Sequence, residues 1–179
     1  MRLDLSLSPH PDTPCAAVTG ITVEVTSPAP DFLAFRFRVS GDVDAILLPP
    51  PAPPERTDGL WQHTVFEAFL RPAEGNDYFE FNFAPSGQWA AYSFAGYREG
   101  MAEATMMAPP VNEAGPRGDG YELQASLAFF PDDGEAWRLG LSAVIEDKSG
   151  VKSYWALAHP PGKPDFHHSD GFAVQLPPA

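Results

Sequence analysis

The side chains best suited to chemistry fall in one stretch. Between Leu60 and Phe94 the residues Trp61, His63, Glu67, Glu80, Asn82, Trp89 and Tyr92 recur among apolar positions. Sugars present flat C–H faces ringed by hydroxyls, so aromatic platforms beside carboxylates and amides suit them. Ligand sites in general place a few polar groups among apolar ones. A competing reading puts these rings in a second core layer, because Trp and Tyr carry large buried areas. An interior Glu67 then needs a partner, since an unpaired buried carboxylate is costly. Arg36, Arg38 and Arg98 are the candidates.

The tail from Tyr154 to Asp170 adds His159, His167, His168, Asp165 and Asp170 on a proline-rich stretch. Histidines with carboxylates invite a metal reading. Adjacent His167 and His168 on extended chain point to opposite sides, so at most one joins a site shared with His159 or His63. We place His159 and His168 in the candidate ligand set and expect no metal, with loop carbonyls as the competing partners. Nucleophilic catalysis finds little: Cys15 is proline-flanked, and no serine sits in a Gly-x-Ser-x-Gly turn. A Glu67/Glu80 pair could perform two-carboxylate glycoside hydrolysis, yet no cleft is predicted around it. The expectation is a protein that is not an enzyme.

These residues must be positioned by strands. Tyr78–Phe83 alternates, with Phe79, Phe81 and Phe83 on one face and Tyr78, Glu80 and Asn82 on the other. Leu60–Leu70 reads as one strand, with Phe66, Ala68 and Leu70 opposite Trp61, His63, Val65, Glu67 and Phe69. The turn Ala84–Gly87 leads into a third strand, Gln88–Phe94, completing a meander. Further candidates are Ile21–Thr26, Phe32–Val39, Val43–Leu47, Tyr121–Phe129, Trp137–Glu146, Ser153–Leu157 and Phe172–Leu176. Met101–Met107 is a short helical candidate. Pro49–Pro54, Pro109-Pro110 and Pro160-Pro161 mark loops, because proline removes a ladder donor. The first of these is either a rigid connection or a stiff segment that recruits a partner. Short strands divided by turn residues predict an all-β antiparallel sandwich, jelly-roll or immunoglobulin-like, of about ten strands in a single domain over residues 1–179.

The chain carries 11 basic and 24 acidic residues, a formal net charge of −13. Nucleic acid and anionic membranes both need basic patches, so neither is an expected partner. Cys15 is the single cysteine, which excludes an internal disulfide. No export signal is recognisable in the first residues and no apolar run approaches a membrane span, so the expected location is cytoplasmic. Oligomeric state has no signature in the chain.

Trp61 followed by Val65–Leu70, then Tyr78–Gly87, a late aromatic strand and a closing Asp170-Gly171-Phe172-Ala173-Val174, resembles the DOMON-like superfamily. That group includes the family 9 carbohydrate-binding modules and domains related to the dopamine β-monooxygenase N-terminal region. The resemblance covers residues 21–176, and it implies a β-sandwich that binds a ligand without catalysis. In the carbohydrate-binding members tryptophans clamp a sugar ring, for which Trp61, Trp89 and Trp155 are the matching aromatics. In the haem-binding members a Met and a His ligate iron. This chain departs there, having no methionine between Met1 and Met101. Met101, Met106 and Met107 could pair with His159, His167 or His168 only at non-matching positions. The expected function is non-catalytic recognition of a sugar or sugar-like molecule, with no cofactor. A haem-binding electron-transfer domain and a protein-interaction module are the alternatives.

Overall fold

The computed structural model describes residues 1–29, 31–128 and 136–176. Phe129, expected to end a strand, lies outside them. Among these residues there are twelve strands: β1 (Arg2–Pro9), β2 (Val18–Ala29), β3 (Phe32–Gly41), β4 (Val65–Pro72), β5 (Tyr78–Phe83), β6 (Trp89–Phe94), β7 (Ala102–Glu103), β8 (Val111–Arg117), β9 (Gly120–Ala128), β10 (Trp137–Glu146), β11 (Lys152–Ala156) and β12 (Val174–Leu176). Helix among the described residues is confined to three 3-10 turns, Val43–Ala45, Leu60–Gln62 and Ser169–Gly171.

All pairings between these strands are antiparallel and follow one path, β7-β6-β5-β4-β10-β11-β1-β2-β3-β9-β8, with β12 paired to β10 off that path. β1 joins the two halves: Arg2–Leu7 pairs with β2, whereas Ser8 and Pro9 pair with β11. The sheet curls until its inner faces meet. Phe37 lies 5.1 Å from Phe66 and Phe35 lies 6.1 Å from Phe83, centroid to centroid. Burying each such phenylalanine contributes about 1.5–3 kcal/mol, so this seam is where the halves adhere.

Alternation explains most of these strands. Phe66, Ala68 and Leu70 of β4 and Phe81 and Phe83 of β5 are buried in the main core, while Phe69, Tyr78 and Tyr92 belong to a second, smaller cluster on the outer face. The β5–β6 connection turns tightly at Gly87, whose φ of 94° suits a residue without Cβ. The proline run 49–54 is tied to that turn, since Ala52 N–H donates to the Ser86 carbonyl.

Three expectations are corrected. Val43–Leu47 is a 3-10 turn followed by a lone bridge from Ile46 to Asp147, not a strand. Met101–Met107 contains the short β7 and no helix. The strand expected to begin at Leu60 begins at Val65, and Trp61 rides on the 3-10 turn before it.

Candidate functional site

The outer face of β4, β5, β10 and β11 carries the site. Ladder register sets its rows: Ser142, Glu67, Asn82 and Ala90 lie across from one another, as do Gly140, Phe69, Glu80 and Tyr92. Residues 157–172 cross this face as a strap. The strap reaches the sheet because Gly140 has no side chain: a Cβ there would stand 3.0 Å from the Gly171 carbonyl oxygen and 3.3 Å from Phe69 Cβ. Phe172 seats in the outer cluster against Phe69 and Tyr78.

Beneath the strap is a cavity of about 330 Å³. Glu67 and Glu80 are its acids, Arg98 its cation and His167 its imidazole, with Trp61, Phe69, Phe94, Tyr154 and Phe166 among the aromatic walls. Ser142 Oγ donates to Glu67 Oε2 at 2.7 Å, and Asn82 Nδ2 donates to Glu80 Oε1 at 2.7 Å. The other oxygens, Glu67 Oε1 and Glu80 Oε2, carry no hydrogen bond among the described residues, and neither does the buried Asn82 Oδ1.

Burial dominates the electrostatics. It pushes the Glu67 carboxyl up to about 8, and the neighbouring Glu80 pushes the same way. Glu80 is also raised by burial, against the opposing pull of Asn82 and Arg98. Two acids facing one cavity therefore hold at least one proton near neutral pH. Burial likewise drives His167 down to about 4, so its ring is neutral. Its tautomer follows from its neighbours. The Tyr78 hydroxyl oxygen accepts the Arg98 backbone N–H at 3.2 Å and lies 2.7 Å from His167 Nδ1. If Nδ1 carried the proton, the phenolic hydrogen would have no acceptor there. Tyr78 thus donates to Nδ1, and Nε2–H points toward Glu80 Oε2, 3.7 Å away.

Arg98 is held by Asp165 of the strap at 2.8 Å, and Tyr97 also donates to Asp165. The Arg98 backbone has φ of 55°, a left-handed conformation that costs a non-glycine residue about 1–2 kcal/mol. Desolvation and the hydrogen bonds of Tyr97 and Arg98 act in opposite senses on Asp165, whose carboxyl ends below its usual range.

The candidates from the sequence separate into groups. Glu67, Glu80 and Trp61 line the cavity, and Trp61 is 40% exposed at its rim. Asn82 lies buried beside the acids. Tyr92 shares their face, but its hydroxyl donates to Asp58 at 2.7 Å and its ring supports Trp61 edge-on at 5.9 Å. The rest are corrections. Trp89 stands opposite Phe83 on the inner face and packs on the main core. Trp155 is 3% exposed in that same core, with its indole N–H on Ser153 Oγ, and Tyr154 takes the outward position instead. His63 binds Glu146 Oε2 at 2.7 Å, away from the cavity. His159 Nε2 donates to the Ser8 carbonyl and meets His10 edge-on at 4.9 Å. His168 accepts from the Asp170 backbone N–H at the start of the 3-10 turn. Its neighbour His167 is the one that enters the cavity. Of the arginines considered for Glu67, Arg36 and Arg38 pair with Glu24 and Glu122 on the other half of the sheet, and Arg98 alone reaches this site.

Among the described residues no group of three or more His, Cys, Asp or Glu side chains could hold a metal ion, and no helix is long and apolar enough to cross a membrane. Met101 and His167 both line the cavity, but both ring nitrogens of His167 are directed at protein groups.

No protein-family profile matches the chain, and no curated relative does either. Solved structures do match. A candidate carbohydrate-binding protein from Bacteroides uniformis superposes with a TM-score of 0.68 at 12% identity, over 96% of this chain and 83% of that one. A family 9 carbohydrate-binding module from Caldicellulosiruptor kristjanssonii, in complex with glucose, superposes with a TM-score of 0.52 at 12% identity, over 88% of this chain and 75% of that one. The chain therefore shares the all-β antiparallel fold of these proteins.

Proposed function

We propose that the strapped cavity binds a sugar or sugar-like small molecule without catalysing a reaction on it. The observation that carries this reading is the meeting of the rim tryptophan Trp61 with Glu67, Glu80 and His167 around one cavity of about 330 Å³. That volume falls at the small end of ligand sites, which combine apolar walls with few convergent polar groups. Trp61 and Tyr154 offer ring surfaces to a sugar's C–H face. Glu67 Oε1, Glu80 Oε2 and His167 Nε2–H offer acceptors and a donor to its hydroxyls. A fold shared with a module crystallised with glucose supports the same class of ligand. Kinship to the DOMON-like group and the sandwich description belong to this reading too.

The test is calorimetric titration with monosaccharides on the native protein and on Trp61→Ala. Loss of binding in a variant with an unchanged melting temperature supports the proposal. Unaltered binding would remove Trp61 from the site. Haem is the second reading, with Met101 of the cavity wall as its ligand, and a Soret band gained on adding haemin would establish it in place of the first.

A further inference from the structure

Two carboxyl groups and one guanidinium line the cavity. Its acids are Glu67 from β4 and Glu80 from β5, and its cation, Arg98, is already engaged by Asp165 of the strap at 2.8 Å. His167, the remaining titratable group beside Glu80, is neutral, and burial raises the phenol of Tyr78 behind it. Glu67 is 2% exposed, yet Glu67 Oε1 and Glu80 Oε2 have no hydrogen-bond donor among the described residues. Asn82 Oδ1, in a fully buried side chain directly across from Glu67, is a further acceptor without a donor.

Two carboxyl oxygens without donors on the wall of one cavity suit a group carrying several N–H donors and a positive charge. Aromatic faces around the acids add to the attraction of a cation. We propose that the ligand of this cavity bears an ammonium group, as an amino sugar does, and that the cation sits between Glu67 and Glu80. This rests on the sugar-binding reading for the body of the ligand, and on the acid pair for its charge. The formal net charge of −13 would steer such a ligand toward the protein.

Binding then has a proton signature. The empty acid pair retains a proton near neutral pH, and an ammonium group between the carboxyls favours their ionised forms. Each bound cation should expel up to about one proton. A neutral sugar should expel none.

Calorimetry at pH 6.5 tests this with four ligands, glucosamine, N-acetylglucosamine, glucose and cyclohexylamine, each in two buffers of different ionisation enthalpy. The expected result is glucosamine binding at least about tenfold tighter than glucose or N-acetylglucosamine, with proton release for glucosamine alone among the sugars. Equal affinities for glucose and glucosamine, without proton release, would overturn the ammonium proposal and leave the sugar reading standing. Cyclohexylamine binding with no sugar binding would support the ammonium proposal and overturn the sugar reading. No binding of either amine would overturn the proposal. The double variant Glu67→Gln/Glu80→Gln should lose the preference for glucosamine and the proton release. If that variant does not fold, proton release by the native protein decides the matter on its own.

Discussion

Tyr78 and His167 form a fixed pair: the phenol of β5 donates to Nδ1 of the strap histidine at 2.7 Å, and their rings meet at 65°. One hydrogen bond thus joins the sheet to the strap and selects which imidazole nitrogen faces the cavity. Tyr78→Phe should leave the ring packed but free to exchange tautomers. Nitrogen NMR of His167 is expected to show the Nε2–H form in the native protein and a mixture in the variant. Monosaccharide affinity should fall by about tenfold if Nε2–H is a ligand donor. An unmixed tautomer in the variant would show that something else fixes the ring.

The acid pair sets the alkaline limb of stability. Glu67 in the folded state keeps its proton up to about 8, well above its unfolded value, so the folded state binds the proton more tightly. Stability is therefore highest below the unfolded value and declines as pH rises through the folded one. Glu67→Gln removes that decline. At pH 9 the variant should be more stable than the native protein by on the order of 3 kcal/mol in urea unfolding, with little difference near pH 4. Parallel pH profiles for the two proteins would contradict the shift.

His167 supplies the opposite limb. Its folded-state value, near 4, lies below the unfolded value, so its contribution is present above the unfolded value and is lost as pH falls through the folded one. Replacing it with Gln should flatten the acid side of the melting profile while lowering stability at pH 7 by about 1 kcal/mol, through the lost bond to Tyr78. An acid limb that persists in the variant would assign that titration to other groups.

Gly140 tests the strap itself. In Gly140→Ala the new methyl would press on the Gly171 carbonyl and on Phe69. The 3-10 turn Ser169–Gly171 should lift, at a cost of about 1–3 kcal/mol. Faster hydrogen exchange confined to residues 165–172, with the β4–β5 ladder still protected, is the expected pattern. Uniform loss of protection would mean that the strap and sheet unfold as one unit.

Arg98 offers a separable backbone test. Arg98→Ala loses the tie to Asp165 and keeps the left-handed strain, whereas Arg98→Gly loses the tie and relieves the strain. The glycine variant should be the more stable of the two by about 1 kcal/mol. Equal melting temperatures would show that the turn relaxes in both.

Period-two alternation made the inner faces of β3, β4, β5, β9 and β10 legible, because the apolar residues that meet in the main core recur at every second position. It also placed Glu67, Glu80 and Asn82 on the opposite face correctly. β1 and β8 were missed for different reasons. β1 alternates leucines with Asp and Ser and runs straight into Pro9 and Pro11, and β8 is an edge strand that tolerates Gly115 and Pro116. Trp89 and Tyr92 could not be sorted from sequence alone, since their faces depend on the register across the Ala84–Gly87 turn, where one residue inverts every side chain. The same one-residue ambiguity exchanged Trp155 for Tyr154 and His168 for His167. Nothing in the local sequence says that Gly140 lets the strap approach the sheet so closely.

That crossing also orders events in time. Both acids belong to strands made long before residues 157–172 leave the ribosome. Until those residues arrive the two carboxyls face water, and covering them favours their protonated forms. A chain cut short before the strap would keep the phenylalanine seam and still collapse around it. It would be blank toward any guest.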